Sequence, residues 1–301
     1  MKNLKEIYQS DRYKNIELIA NSIVEGFMTG LHRSPYHGFS VEFAEHRAYN
    51  TGESTRFIDW KLYGKTEKLY VKRFEEETNL RCHIMIDTSS SMLFPFDKKE
   101  NKLSFSVFSA AALINILKRQ RDAAGLSFFS QKIDYFSDAR LKKNHLSLMY
   151  SKLENLLEYK NLNISSDIPA SLNEMAEIIQ KRSMLIIFSD MYSAENKKQL
   201  FDALRHIKFK GVEIIIFHLV DGKQELEFDF KNRPYKFVDM ESGNVLKLTP
   251  TQIKNQIKQA FNDFFNDFKT EAISNKIHYV QADINKDFNQ ILLPYLANRK
   301  N

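Results

Sequence analysis

The 301-residue sequence holds one cysteine, so it can build neither an intramolecular disulfide framework nor an all-cysteine metal centre. That residue, Cys82, lies inside an apolar run, where a thiol serves as a small hydrophobe. Glycine and proline are scarce, at 9 and 6 residues, which leaves little room for a long flexible linker and points to one main domain with appendages. The longest apolar stretches, such as "MLIIF" and "VEIIIFHLV", are far too short to cross a bilayer. The opening "MKNLKEIYQSDRYKN" has no apolar core of the secretory kind, so a soluble, cytoplasmic protein is expected. Basic residues outnumber acidic ones, 44 to 38, yet no run of five basic side chains occurs. The surplus reads as a solvated basic surface rather than a nucleic-acid footprint. No "GxxxxGK[ST]" occurs, which excludes a P-loop, and no internal repeat or low-complexity segment is found.

Hydrophobic residues at 43% and charged residues at 27% are ordinary for a globular chain that can bury a sizeable core. Residues 4–29 read as helical through Leu4, Ile7, Ile16, Ile19 and Ile23, with Gly30 as the stop. Residues 36–80 are charged, aromatic and poorly periodic, which predicts short strands and loops. Beyond them, "RCHIMID" (81–87), "SMLIIFSD" (183–190) and "GVEIIIFHLVD" (211–221) are buried-strand patterns, and "GLSFFS" with "KIDYFS" suggests a hairpin. Helices are expected at 101–120, 144–159, 168–181 and near 195–208. This alternation predicts an α/β fold with a doubly wound, mostly parallel sheet covered on both faces. Ligands of such folds collect outside the carboxyl ends of strands, where strand order reverses.

A small β-rich insertion follows, "ELEFDF", "YKFVDME" and "NVLKLT". A helix then starts at Pro250, with Thr249 and Gln252 as a capping box. Its stripe of Ile253, Ile257, Phe261, Phe264, Phe265 and Phe268 belongs to the core. A strand "IHYVQAD" and a short helix end the chain. Residues 1–80 therefore read as an N-terminal helix plus a charged and aromatic segment packing on the main domain of 81–301.

The chemistry concentrates at strand ends. "HIMIDTSSSM" finishes in Asp87 followed by Ser89 and Ser91, and "FSD" finishes in Ser189 and Asp190. The loop "NISSDIPASL" offers Ser165 or Ser166 just before an apolar helix. Alone, the first motif is also what a Ser-rich turn capping a helix looks like. Taken together, two carboxylates and three hydroxyls on one sheet edge suit a small hard cation, Mg²⁺ or Mn²⁺.

This pattern resembles the metal-ion-dependent adhesion site of von Willebrand factor type A domains. The resemblance implies that Asp87, Ser89 and Ser91 anchor the ion and that Asp190 acts through water. Ser166 stands where that family usually has Thr, with Ser165 the alternative, and Asp167 lies beside the site without an assigned role. It also implies an open sixth position for a carboxylate on a partner.

The stretch "GFSVEFAEHRAYNTGESTRFIDWKLYGKTEKLYVKRFEEE" is similar to the signature of domain-of-unknown-function family 58. The later "HLVDGKQELEFDF", "YKFVDMESGNVLKL" and "LPYLANR" follow that family's pattern, so the likeness runs from about residue 30 to the end. It implies a MoxR-type AAA+ ATPase, or a client protein with an acidic side chain, as partner, and a short form without the membrane helices of longer members. Within the signature, Glu42, Glu45, Arg47, Glu53, Arg56, Asp59 and Lys61 crowd around Tyr49, Phe57 and Trp60. An ion-pair and aromatic packing layer is the plainer reading, and a docking surface the functional one. His46, Arg47 and Asp59 form no catalytic pattern.

A metal-dependent phosphatase or phosphotransferase with Asp87 as nucleophile is the enzymatic alternative. Ser89 occupies the place where a second Asp acts as acid and base in such enzymes, so no catalytic residue is assigned. A basic-surface nucleic-acid binder is the remaining rival.

Overall fold

In the computed structural model, the described residues are 3–9, 15–32, 46–48, 60–72, 80–96, 98–192 and 197–298. They divide into two units, Met1–Gly30 with Leu80–Asn301, and Leu31–Asn79. The N-terminal segment expected over 1–80 is thus shared between them.

The larger unit begins with α1 (Leu4–Gln9) and α2 (Ile16–His32); α2 runs through Gly30, the expected stop. The second unit holds β1 (His46–Ala48), α3 (Trp60–Thr66) and β2 (Tyr70–Lys72), with β1 and β2 antiparallel. A helix therefore stands where only strands and loops were expected. The signature residues Glu42, Glu45, Tyr49, Glu53, Arg56, Phe57 and Asp59 lie outside the described residues.

The larger unit continues with β3 (Arg81–Asp87), α4 (Lys102–Arg119), β4 (Ala123–Phe129), β5 (Ile133–Arg140), α5 (Lys143–Leu157), α6 (Ile168–Ile178), β6 (Ser183–Ser189), α7 (Lys197–Phe209) and β7 (Glu213–Val220). Then come β8 (Tyr235–Val238), β9 (Val245–Leu248), α8 (Pro250–Ser274), β10 (His278–Asp283) and α9 (Asn289–Asn298). Six strands form one sheet in the order β10-β7-β6-β3-β4-β5. All neighbours are parallel except β5, which returns antiparallel along β4 as the expected hairpin. This is a mixed α/β architecture compatible with a Rossmann-like fold. The order reverses at β3, from which the chain goes first to β4 and later to β6 on the other side.

The central strands are apolar on both faces because both faces are covered. Met85, Leu185, Ile187, Ile214 and Ile216 pack with α6, α7 and the end of α8. Residues of the opposite parity, such as Ile84, Ile86 and Ile186, are equally buried, and α4 packs on β3 and β4. Every α4 residue from Lys102 to Leu117 is buried, which explains its small and large apolar residues on all sides. Asn101 and Ser104 close a reciprocal capping box at its start. Cys82 is fully buried.

Two expectations in the insertion fail. The segment read as a strand, "ELEFDF", begins inside a π-helical turn, Gly222–Leu226. Asp221 caps that turn, accepting the Lys223 and Gln224 amides at 2.9 and 3.1 Å. Alternating Phe and acidic residues mimicked a strand, but side-chain capping of the backbone won. The second failure is at α8, which starts at Pro250 as expected, yet Thr249 makes no side-chain cap. The Gln252 amide reaches only the Thr249 carbonyl, at 3.1 Å. The α8 stripe is deepest at Phe265 and Phe268, which are buried, while Ile253, Ile257, Phe261 and Phe264 are half-buried. Among the described residues, no helix is long and apolar enough to cross a membrane.

His83 in β3 is buried and stacks on Phe136, with ring centroids 5.8 Å apart. Gly125 on the adjacent strand makes room for it: a side-chain carbon there would lie 2.6 Å from Nδ1 and 2.8 Å from the Ser137 carbonyl oxygen. Burial lowers the His83 pKa from 6.5 to about 4, opposed by Asp138 and assisted by Arg81. The unfolded chain therefore takes up a proton near pH 6.5 while the native chain holds none until near pH 4. This contribution to stability is intact above 6.5 and is lost as pH falls toward 4, on the order of 3 kcal/mol. Urea unfolding at pH 7, 6 and 5 should show a decline that is shallower in His83→Leu by one proton; identical slopes would refute the assignment.

Candidate metal centre

Asp87 ends β3 and Ser189 ends β6, and the parallel register that sets Ile86 opposite Phe188 brings the two ends together. The Asp87 carboxylate accepts the Ser89 amide on Oδ1 at 2.9 Å, closing the turn that follows the strand. Its Oδ2 accepts the Ser189 hydroxyl at 2.7 Å, and Ser189 Oγ in turn accepts the Met191 amide at 3.0 Å. Met191 sits at φ 56°, a left-handed turn just after Asp190.

The hydroxyls then divide by parity. Thr88 and Ser90 face the scaffold: Thr88 donates to the Phe129 carbonyl at 2.9 Å, and Ser90 clamps the loop before α6. The Ser90 amide donates to the Ile164 carbonyl at 2.9 Å, and Ser90 Oγ accepts the Ile164 amide at 2.8 Å. Ser89 and Ser91 face the other way, their hydroxyl oxygens 3.0 Å apart, and Ser91 donates to Asp190 Oδ1 at 3.3 Å. Asp87, Ser89, Ser91 and Asp190 are thus one hydrogen-bonded cluster at the carboxyl edge.

On the clamped loop, Ser165 accepts Gln131 Nε2 at 3.0 Å, and Asp167 caps α6 by accepting the Ala170 amide at 2.9 Å. Asp167 therefore has a local structural role that the sequence left open. Ser166 lies between them, half-buried, with its amide directed to the carboxylate of Glu241.

Both carboxylates of the cluster are sealed from solvent, Asp87 at 0% and Asp190 at 1% exposure. Lys102 is buried beside them, its Nζ 3.0 Å from Asp190 Oδ2 and 2.7 Å from Glu225 Oε1. The ammonium also lies 4.6 Å over the Tyr192 ring. Glu225 accepts the Tyr192 hydroxyl at 3.1 Å and the Asp221 amide at 2.6 Å. Burial depresses the Lys102 ammonium, but Asp190 and Glu225 outweigh it and leave its pKa raised. Burial raises the Glu225 carboxyl despite Lys102.

Among the described residues Asp87 has no such partner, and burial followed by the charge of Asp190 raises its pKa to about 7. Among the described residues the edge thus holds three buried carboxylates, Asp87, Asp190 and Glu225, and one buried ammonium, which reaches the latter two. This surplus of negative charge, set among hydroxyl and carboxylate oxygens, fits a hard cation. Among the described residues no group of three His, Cys, Asp or Glu is placed to hold a metal.

Lys102, Glu225, Tyr192 and Glu241 were not foreseen as part of this edge. Lys102 comes from "DKKENKL", where nothing separates it from its solvated neighbours. Glu225 lay in the misread strand.

Residues 45–270 match the family model described as Protein of unknown function DUF58. The chain belongs to this family. Uncharacterized proteins of Mycobacterium bovis and Mycobacterium tuberculosis are 21% identical to this DUF58 chain over 183 residues, 61% of its length and 57% of theirs. The match therefore spans little more than half the length of these curated relatives. Among solved structures, the chain is similar to the conserved hypothetical protein BatB from Bacteroides thetaiotaomicron, with TM-score 0.47 and 16% identity over 73% of this chain and 98% of that one. It is also similar to the PilB minor pilin from Streptococcus sanguinis, with TM-score 0.40 and 9% identity over 77% and 64% of the two chains.

Removing Lys102 leaves Asp190 and Glu225 buried without a counter-charge. Lys102→Met should cost about 3–5 kcal/mol in urea unfolding, whereas Lys118→Met, whose pair with Glu17 is solvated, should cost less than about 1 kcal/mol. Equal losses would show that the buried ammonium does not hold the edge together.

Proposed function

We propose that this DUF58 chain is a non-enzymatic, metal-dependent protein-interaction module of the von Willebrand factor A type. Mg²⁺ or Mn²⁺ would be held by Asp87, Ser89, Ser91, Ser166 and Asp190. The observation that carries this reading is Asp87, a fully buried carboxylate with no cationic partner among the described residues, packed against hydroxyls where strand order reverses.

A bound Mg²⁺ supplies a Lewis-acidic position for an oxygen of a partner's carboxylate. The residues of the chain prepare that position. The Ser89 amide and Ser189 hydroxyl fix both oxygens of Asp87, and Lys102 holds Asp190 Oδ2 while Oδ1 faces Ser91. The phosphate-accepting alternative lacks the second Asp that such enzymes place two residues on, since that position is Ser89. The partner in this reading is a MoxR-type AAA+ ATPase, or a client that it remodels, presenting an acidic side chain.

The reading is tested by titrating Mg²⁺ and Mn²⁺ calorimetrically into wild type and Asp87→Ala, with circular dichroism to show that both are folded. Saturable binding to wild type and none to Asp87→Ala is expected. Folded wild type that takes up neither ion would end the proposal.

A further inference from the structure

The insertion between β7 and α8 carries the β8–β9 hairpin, whose turn reaches the candidate metal centre. The turn is built by Asp239: its amide donates to the Asn244 carbonyl at 2.9 Å, and its carbonyl accepts the Gly243 amide at 2.9 Å. Asp239 Oδ1 accepts the Glu241 amide at 3.0 Å, and Oδ2 accepts the Ser242 hydroxyl. Gly243 takes the left-handed conformation that such a turn needs, at φ +72°. The turn is tied to the site's own loop, since the Asn163 amide donates to the Met240 carbonyl at 3.2 Å. Asn163 directly precedes Ile164, which Ser90 clamps. One continuous set of hydrogen bonds therefore places Glu241 relative to Ser91.

Glu241 Oε1 is shut off from solvent and has no hydrogen-bond partner among the described residues. A carboxylate oxygen in that condition is costly unless a donor or a cation meets it. Its surroundings are those of the candidate centre. Burial raises the Glu241 carboxyl, and Ser91, Asp190, Asp239 and the Ser166 amide are the groups near enough to shift it further. Two of the expected ligands, Ser91 and Ser166, are therefore neighbours of this side chain.

We propose that Glu241 is a cation ligand supplied in cis, occupying the coordination position that a partner's carboxylate would otherwise take. The inference rests on the metal-site reading above and adds to it an internal occupant. An incoming acidic side chain must then displace Glu241. The hairpin permits this, because β8 and β9 pair only with each other and lifting them breaks no pairing of the six-stranded sheet.

Mn²⁺ alone is the probe, with wild type, Glu241→Ala, Glu241→Gln and Asp87→Ala compared by calorimetry and by water-proton relaxation, and circular dichroism as the folding control. Glu241→Ala should weaken Mn²⁺ binding at least about tenfold and should add about one exchangeable water to the bound ion. Glu241→Gln should fall between it and wild type. Added acetate should lower the relaxation of the Glu241→Ala complex and leave that of wild type unchanged. Mn²⁺ affinity and relaxation identical in wild type and Glu241→Ala, with binding lost in Asp87→Ala, would overturn this inference and leave the metal site standing. Absence of Mn²⁺ binding to folded wild type would overturn both.

Discussion

The carboxyl edge of the sheet is organised around excess negative charge buried where water cannot screen it. Asp87 ends β3, Asp190 directly follows the neighbouring parallel strand β6, and Glu225 comes up beside them from the turn after β7. Carboxylates so placed repel and lose hydration together. Lys102 offsets part of this. It is the first residue of α4, where the helix dipole disfavours a cation, and Asn101 supplies the cap instead. Its position makes sense only through what its ammonium reaches: Asp190, Glu225 and the face of Tyr192.

The hydroxyls around this cluster do two kinds of work, separated by a one-residue alternation. Thr88 and Ser90 bind backbone carbonyls and amides of β4 and of the loop before α6, so the turn after β3 cannot drift. Ser89 and Ser91 are thereby left facing Asp190. Under the proposed reading such a site is preorganised, because the hydroxyls that face Asp190 are not the ones bearing the scaffold. Asp167 and Ser165 belong to the scaffold as well, the first as a helix cap and the second through Gln131.

The insertion that interrupts the α/β alternation is part of the same edge. Its π-helical turn delivers Glu225 to Lys102, and its hairpin brings Glu241 near Ser91 and Ser166. Membership of the DUF58 family covers this insertion, since the match extends to residue 270. The insertion thus gives this edge two further carboxylates that the strand ends do not possess.

Much of this was legible in the residues themselves. Continuous apolar runs marked β3, β6 and β7, because a strand covered on both faces needs no polar alternation. Asp87, Ser89, Ser91 and Asp190 followed from parallel strands sharing one carboxyl edge, and the structure brings these four together. Periodicity failed at 225–230, where side-chain capping by Asp221 overrode an alternating pattern, and at Thr249, where the cap motif was present but unused. Lys102, Glu225 and Glu241 were decided by tertiary structure alone. Lys102 and Glu225 lie 123 residues apart, and a pairing at that separation leaves no local period to read. A sequence reports what each element buries along its own axis; which distant charges meet is set only when the chain closes on itself.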